Sequence, residues 1–123
     1  MQHTTLKGKK NMRPILSEIH VGDLLVKDRE DNDMQRWLSG INSVLFPTSL
    51  KCKAIRNGAW EKCIATGRLA DDGSGRLNIS ITFSDATAFT VKGSRSSFLP
   101  SKYTTALESY RKATGEEKHR KGA

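Results

Sequence analysis

The chain has few of the residues that staple, anchor or catalyse. Its two cysteines, Cys52 and Cys63, are too few for a disulfide framework. Its three histidines, His3, His20 and His119, lie far apart, whereas a zinc site needs a tighter Cys/His cluster. No stretch approaches the ~20 apolar residues of a membrane span, so no membrane partner is expected. Met1 to Pro14 lacks the apolar core of a signal peptide. The expected location is therefore cytoplasmic. In that reducing setting Cys52 and Cys63 are read as reduced core neighbours, which oxidation would join across two strands.

Catalytic patterns are also missing. No serine sits in a nucleophile elbow and no histidine pairs with one. Gly73-Ser74-Gly75 lacks the lysine and the strand-to-helix setting of a phosphate loop. Asp28, Glu30, Asp31 and Asp33 lack the glycine and closing glutamate of an EF-hand. Helix capping is the favoured use of these acids. The expectation is a non-enzymatic protein without metal or cofactor.

What is abundant is positive charge. The 123 residues carry 21 Lys and Arg against 13 Asp and Glu, for a net charge of +8. That excess favours polyanions, nucleic acid first. It is unevenly spread. Residues 15–33 hold two bases and six acids, whereas residues 34–70 hold six bases and one acid. The acidic turn thus reads as set apart from the basic region.

The length suits one domain with a real core. Residues 1–13 carry Lys7, Lys9, Lys10 and Arg13 with no acid and read as a flexible basic arm. Residues 115–123 read as a flexible basic tail. Residues 14–114 then form a single α+β domain. Pro14 and the spacing of Leu16 and Ile19 predict a short N-terminal helix leading into extended chain; Gly22 and the β-branched residues favour a strand over Ile19 to Val26 as the alternative. Met34, Trp37, Leu38, Ile41, Val44 and Leu45 recur at helical spacing, with Asp31, Asn32 or Asp33 as cap and Pro47 as terminator. Four strands follow, over Leu50–Asn57, Ala59–Ala70, Arg76–Phe83 and Thr87–Lys92. A last helix runs from about Pro100 to Thr114, with Gly115 as its stop. The predicted fold is a four-stranded antiparallel meander packed on one face by an N-terminal and a C-terminal helix, with disordered basic ends.

Register decides what the sheet exposes. A two-residue turn at Asn57-Gly58 opposes Cys52 to Cys63, Lys53 to Lys62 and Ile55 to Trp60. Alternation then puts Leu50, Cys52, Ala54, Cys63 and Ala65 on one face and Lys51, Lys53, Ile55, Trp60, Lys62, Ile64 and Arg68 on the other. If the Asp71–Gly75 loop holds an odd number of residues, Ile79 and Ile81 join the small-residue face and Trp60 faces solvent. If the count is even, or a bulge intervenes, Trp60 is core, where large aromatics usually lie.

The functional expectation is a nucleic-acid binder, single-stranded DNA or RNA favoured because no recognition helix is evident. Its candidate contacts are Lys51, Lys53, Trp60, Lys62 and Arg68 on the sheet, Lys9 and Lys10 on the arm, and Arg95 in the Ser94–Ser97 loop, where hydroxyls and a guanidinium suit phosphate. The alternative is an accessory or regulatory module of a phage, plasmid or host complex, with a protein partner at the Trp37 helix or the acidic turn. The sequence does not fix an oligomeric state.

Overall fold

The computed structural model describes residues 13–114. Within it, residues 16–100 and the pair of segments 13–15 and 101–114 are separate compact units. The first unit carries the sheet. Its strands are β1 (Ile19–Val21), β2 (Leu24–Asp28), β3 (Thr48–Arg56), β4 (Ala59–Leu69), β5 (Leu77–Phe83) and β6 (Ala88–Gly93). They lie in sequence order in one antiparallel, curled sheet. A six-residue helix, α1 (Met34–Ser39), sits between β2 and β3, and a 3-10 turn spans Arg95–Phe98.

The four-stranded, two-helix expectation is therefore wrong. The sheet has six strands, and among the described residues no helix precedes β1. The error lies at Gly22. This glycine has φ +63°, which a side chain rarely tolerates. With Asp23 it forms a two-residue turn that folds the Ile19–Asp28 segment into a hairpin, pairing Ile19 with Val26 and Val21 with Leu24. A Gly-Asp pair between two apolar runs is a recognised hairpin signal. Here it outweighs the weak helical spacing before it.

Helix α1 is also shorter than its apolar period suggests. Asp33 caps it, as the sequence reading allowed. The Asp33 Oδ1 accepts from the amides of Gln35 and Leu16, both at 3.0 Å. Such a cap is worth about 1 kcal/mol. Gly40 ends the helix, and its N–H donates back to the Arg36 and Trp37 carbonyls. Ile41 is still buried, but Leu45 is 76% exposed. The expected continuation to Leu45 is a loop.

The four later strands match the sequence reading in order and register. Asn57 (φ 55°) and Gly58 (φ 81°) both have positive φ, as a type I′ turn demands. Cys52 faces Cys63, Lys53 faces Lys62 and Ile55 faces Trp60. Ile79 faces Gly67, Ile81 faces Ala65 and Phe83 faces Cys63. The odd-loop alternative thus holds. Phe89 lies beside Ile81 and Val91 beside Ile79.

The inner face of the sheet is the core. Val26, Cys52, Ala54, Cys63, Ala65, Leu77, Ile79, Ile81 and Phe83 are buried there. The small residues on β3 and β4 leave room for α1 above them. Gly67 is the closest point. A Cβ placed on it would lie 2.5 Å from Ile41 Cδ1 and 3.4 Å from Trp37 Cζ2. Trp37, not Trp60, is the buried tryptophan. At the open end of this face, Arg56 donates to both oxygens of Glu61 (2.6 and 3.3 Å) and to Asp85 (2.9 Å), and its guanidinium stacks 3.9 Å over Phe83.

In the second unit, helix α2 (Ser101–Thr114) matches the expected C-terminal helix. Arg13 Nη1 donates to the Tyr103 hydroxyl at 3.1 Å. Residues 1–12 and the 115–123 tail, including Lys9 and Lys10, lie outside the described residues.

Gly67→Ala should overpack the contact of β4 with Ile41 and Trp37 and destabilise the chain by about 1–3 kcal/mol. Urea denaturation checks this. A loss below about 0.5 kcal/mol would show that Ile41 and Trp37 do not press on β4 at Gly67.

Candidate nucleic-acid interface

The same registers that build the core define the opposite, outer face. On it lie His20, Leu25 and Lys27 from β1 and β2, and Ser49, Lys51, Lys53 and Ile55 from β3. Trp60, Lys62, Ile64, Thr66 and Arg68 follow from β4, and Asn78, Ser80, Thr82, Ala88, Thr90 and Lys92 from β5 and β6. None of these residues is an acid.

Cross-strand neighbours form rows. Lys27, Lys53 and Lys62 make one row across β2, β3 and β4. Ser49, Thr66, Ser80 and Thr90 make a hydroxyl row, in which Ser80 Oγ and Thr90 Oγ1 are 2.6 Å apart. Arg68, Asn78 and Lys92 make a third row. Lys92 is paired with Asp72 at 2.8 Å. Basic rows thus bracket a neutral polar strip.

Trp60 stands beside the lysine row. It is 45% exposed. The Nζ atoms of Lys27 and Lys53 each lie 5.8 Å from its ring centroid. This is cation–π distance, worth about 0.5–1 kcal/mol at an exposed ring. Three ammonium groups in a row repel each other. One carboxylate offsets them. Asp31 lies 3.1 Å from Lys27 Nζ and 4.0 Å from Lys53 Nζ. The Lys27 hydrogen bond, then the Lys27 and Lys53 charges, hold the Asp31 carboxyl below its ordinary range. The acidic turn is therefore not set apart from the basic region. It folds against it and places Asp31 on the lysines.

The sequence-predicted residues divide accordingly. Lys51, Lys53, Trp60, Lys62 and Arg68 share the outer face. Among the described residues the side chains of Lys51, Lys62 and Arg68 make no hydrogen bond or ion pair. Arg95 does not join them. Its Nε donates to the Leu38 carbonyl at 3.2 Å and its Nη2 to the Ile41 carbonyl. The guanidinium closes the C-terminal end of α1, where carbonyls lack helical partners. Lys27 was missed because it sits among acids in a stretch read as helix and extended chain. Only its pairing with Lys53 reveals it.

Other candidate chemistry is committed to the fold. The Asp28 carboxylate accepts from the Glu30 and Asn32 amides and from Asn32 Nδ2 at 3.0–3.1 Å. The Arg29 guanidinium donates to the Cys52 and Cys63 carbonyls. Both cysteines are free and buried. Burial first, then the facing Cys63 and Asp28, pushes the Cys52 thiol up to about 12, and burial pushes Cys63 up to about 11. Neither supplies a thiolate at neutral pH. Among the described residues no group of three or more His, Cys, Asp or Glu is placed to hold a metal ion, and no helix is long and apolar enough to cross a membrane.

No protein-family model, curated protein or solved structure matches the chain.

The placement of the two tryptophans is checked by fluorescence. In Trp37→Phe protein the remaining Trp60 emission should be red-shifted and readily quenched by acrylamide. A blue-shifted, protected emission would place Trp60 in the core and remove the platform.

Proposed function

We propose that this chain is a non-enzymatic, single-stranded nucleic-acid-binding protein that uses the outer sheet face. The observation that carries the proposal is the absence of any carboxylate from the strand positions of that face, combined with an exposed Trp60 set among Lys27, Lys53 and Lys62. A base stacked on an exposed aromatic gains about 1–3 kcal/mol, and flanking cations attract the phosphates on either side. A polyanion would also relieve the repulsion along the lysine row. The hydroxyls of Thr66 and Ser80 offer donors to phosphate or sugar oxygens between the two basic rows. The predicted arm lysines, Lys9 and Lys10, would add backbone contacts of the same kind. A cytoplasmic setting belongs to this reading, since both thiols are free.

Single strands are favoured over duplex because the sheet face offers no helix to enter a groove, whereas unstacked bases can lie on an aromatic ring.

Titration of labelled oligo(dT) or oligo(U) at two or more salt concentrations tests this. Four phosphate contacts predict a log–log salt slope of about −3. Trp60→Ala should weaken binding about fivefold to a hundredfold. Absence of binding at low salt would end the proposal.

Asp31 should act as a brake on the same site. Asp31→Asn keeps a residue type that tolerates the observed φ of 59°. It frees Lys27 and Lys53, so affinity should rise and the salt slope steepen by about 0.7. Unchanged or weaker binding would show that these lysines do not meet the ligand.

A further inference from the structure

The outer face has a second end, away from Trp60, and its construction is distinct. The loop before β3 is tied to β4 there. The Leu69 amide donates to the Ser43 carbonyl at 3.2 Å, and Ser43 Oγ accepts from the Leu45 and Phe46 amides. This turn holds Leu45 and Phe46 outward, at 76% and 77% exposed. Two neighbouring large apolar side chains in water are an unrewarded cost unless something covers them.

Two shallow clefts meet at this end. One, of about 220 Å³, is lined by Pro47, Thr66, Arg68, Asn78 and Ser80. The other, of about 260 Å³, is lined by Val44, Leu45, Arg68, Leu69, Asp71 and Asn78. Arg68 and Asn78 form the wall between them. Each is smaller than the ~300 Å³ at which small-molecule pockets begin, so each has room for a small group rather than a whole cofactor. Their chemistry differs. The first offers a guanidinium, two hydroxyls and an amide with no carboxylate. The second offers aliphatic walls and the Asp71 carboxylate, which repels phosphate and accepts hydrogen bonds from amino or ring N–H groups.

We propose that this pair of clefts is a second nucleotide site, with a phosphate in the first and its base in the second. The inference rests on the nucleic-acid reading above and extends it. A flat base would lie against Leu45 and the Arg68 guanidinium, a stacking surface well suited to unpaired bases. Arg68 is available for this role. The guanidinium groups of Arg29, Arg56 and Arg95 donate to groups of the fold, whereas that of Arg68 bonds to none of the described residues. Trp60 and Arg68 are eight residues apart on β4, or about 26 Å at strand rise. At the ~3.4 Å per nucleotide of stacked DNA this spans about eight nucleotides, and fewer in extended chain. The two ends would therefore hold one strand by stacking at separated positions.

The test uses the full chain and a dT12 oligonucleotide. Arg68→Ala should weaken binding about tenfold and reduce the salt slope by about 0.7. The double variant Leu45→Ala/Phe46→Ala should weaken binding about fivefold with the slope unchanged, since no charge is lost. Arg76→Ala is the control. It removes the same charge from an exposed residue that lines neither cleft, and should change affinity less than twofold. Both site effects are required. If the apolar double variant binds like wild type, or Arg68→Ala is no worse than Arg76→Ala, the second site is overturned. Should Trp60→Ala still weaken binding at least fivefold in that case, the sheet-face proposal survives without it. If wild type does not bind dT12 at all, both fall.

Discussion

The fold depends on the register of the β3–β4 hairpin. Positive φ at Asn57 and Gly58 forces a two-residue turn, and the turn fixes every pair from Arg56–Ala59 to Thr48–Gly67. Because side chains alternate along a strand, a slip of one residue would exchange the two faces. Cys52, Ala54, Cys63, Ala65 and Gly67 would then meet water, and four cations with Trp60 would turn inward. Burying uncompensated charge is prohibitive. The hydrophobic core and the basic face are thus two results of one constraint. The Asp71–Gly75 loop carries that constraint to β5, where Ile79 and Ile81 supply the apolar bulk that β3 and β4 lack.

Small residues set the second layer. With Gly67, Ala65 and Cys63 on the inner face, Trp37 of α1 and Ile41 just after it can press close to β4. The helix is too short to persist by propensity alone. It is held by Asp33 at its start and Arg95 at its end. Arg95 shows how a basic residue in a serine-rich loop can serve the fold rather than a ligand. The outer face has no such covering within residues 16–100, and its chemistry is accordingly unshared with the core.

Much of this was legible from residues. The Asn-Gly turn gave the register of β3 on β4 and the grouping of Lys51, Lys53, Trp60, Lys62 and Arg68, while the parity of the Asp71–Gly75 loop stayed open between odd and even until the pairing of Ile79 with Gly67 decided it. The rest failed for identifiable reasons. Gly22-Asp23 is a turn signal inside a run too short to show a clear period, so a two-strand hairpin read as helix and extended chain. The apolar period of α1 continued through Val44 and Leu45, but the backbone leaves the helix at Gly40. Lys27 and Asp31 joined the site only through pairing of β2 with β3, a contact between distant residues that local pattern cannot express. Arg95 looked free because the carbonyls it satisfies belong to a helix more than fifty residues earlier.

Lysine acetylation footprinting with and without oligo(dT) most directly tests the claim that the outer face is a binding surface. The account predicts that ligand protects Lys51, Lys53 and Lys62 together, while Lys102 and Lys112 on α2 keep their reactivity. Equal reactivity of Lys51, Lys53 and Lys62 in bound and free protein would contradict it.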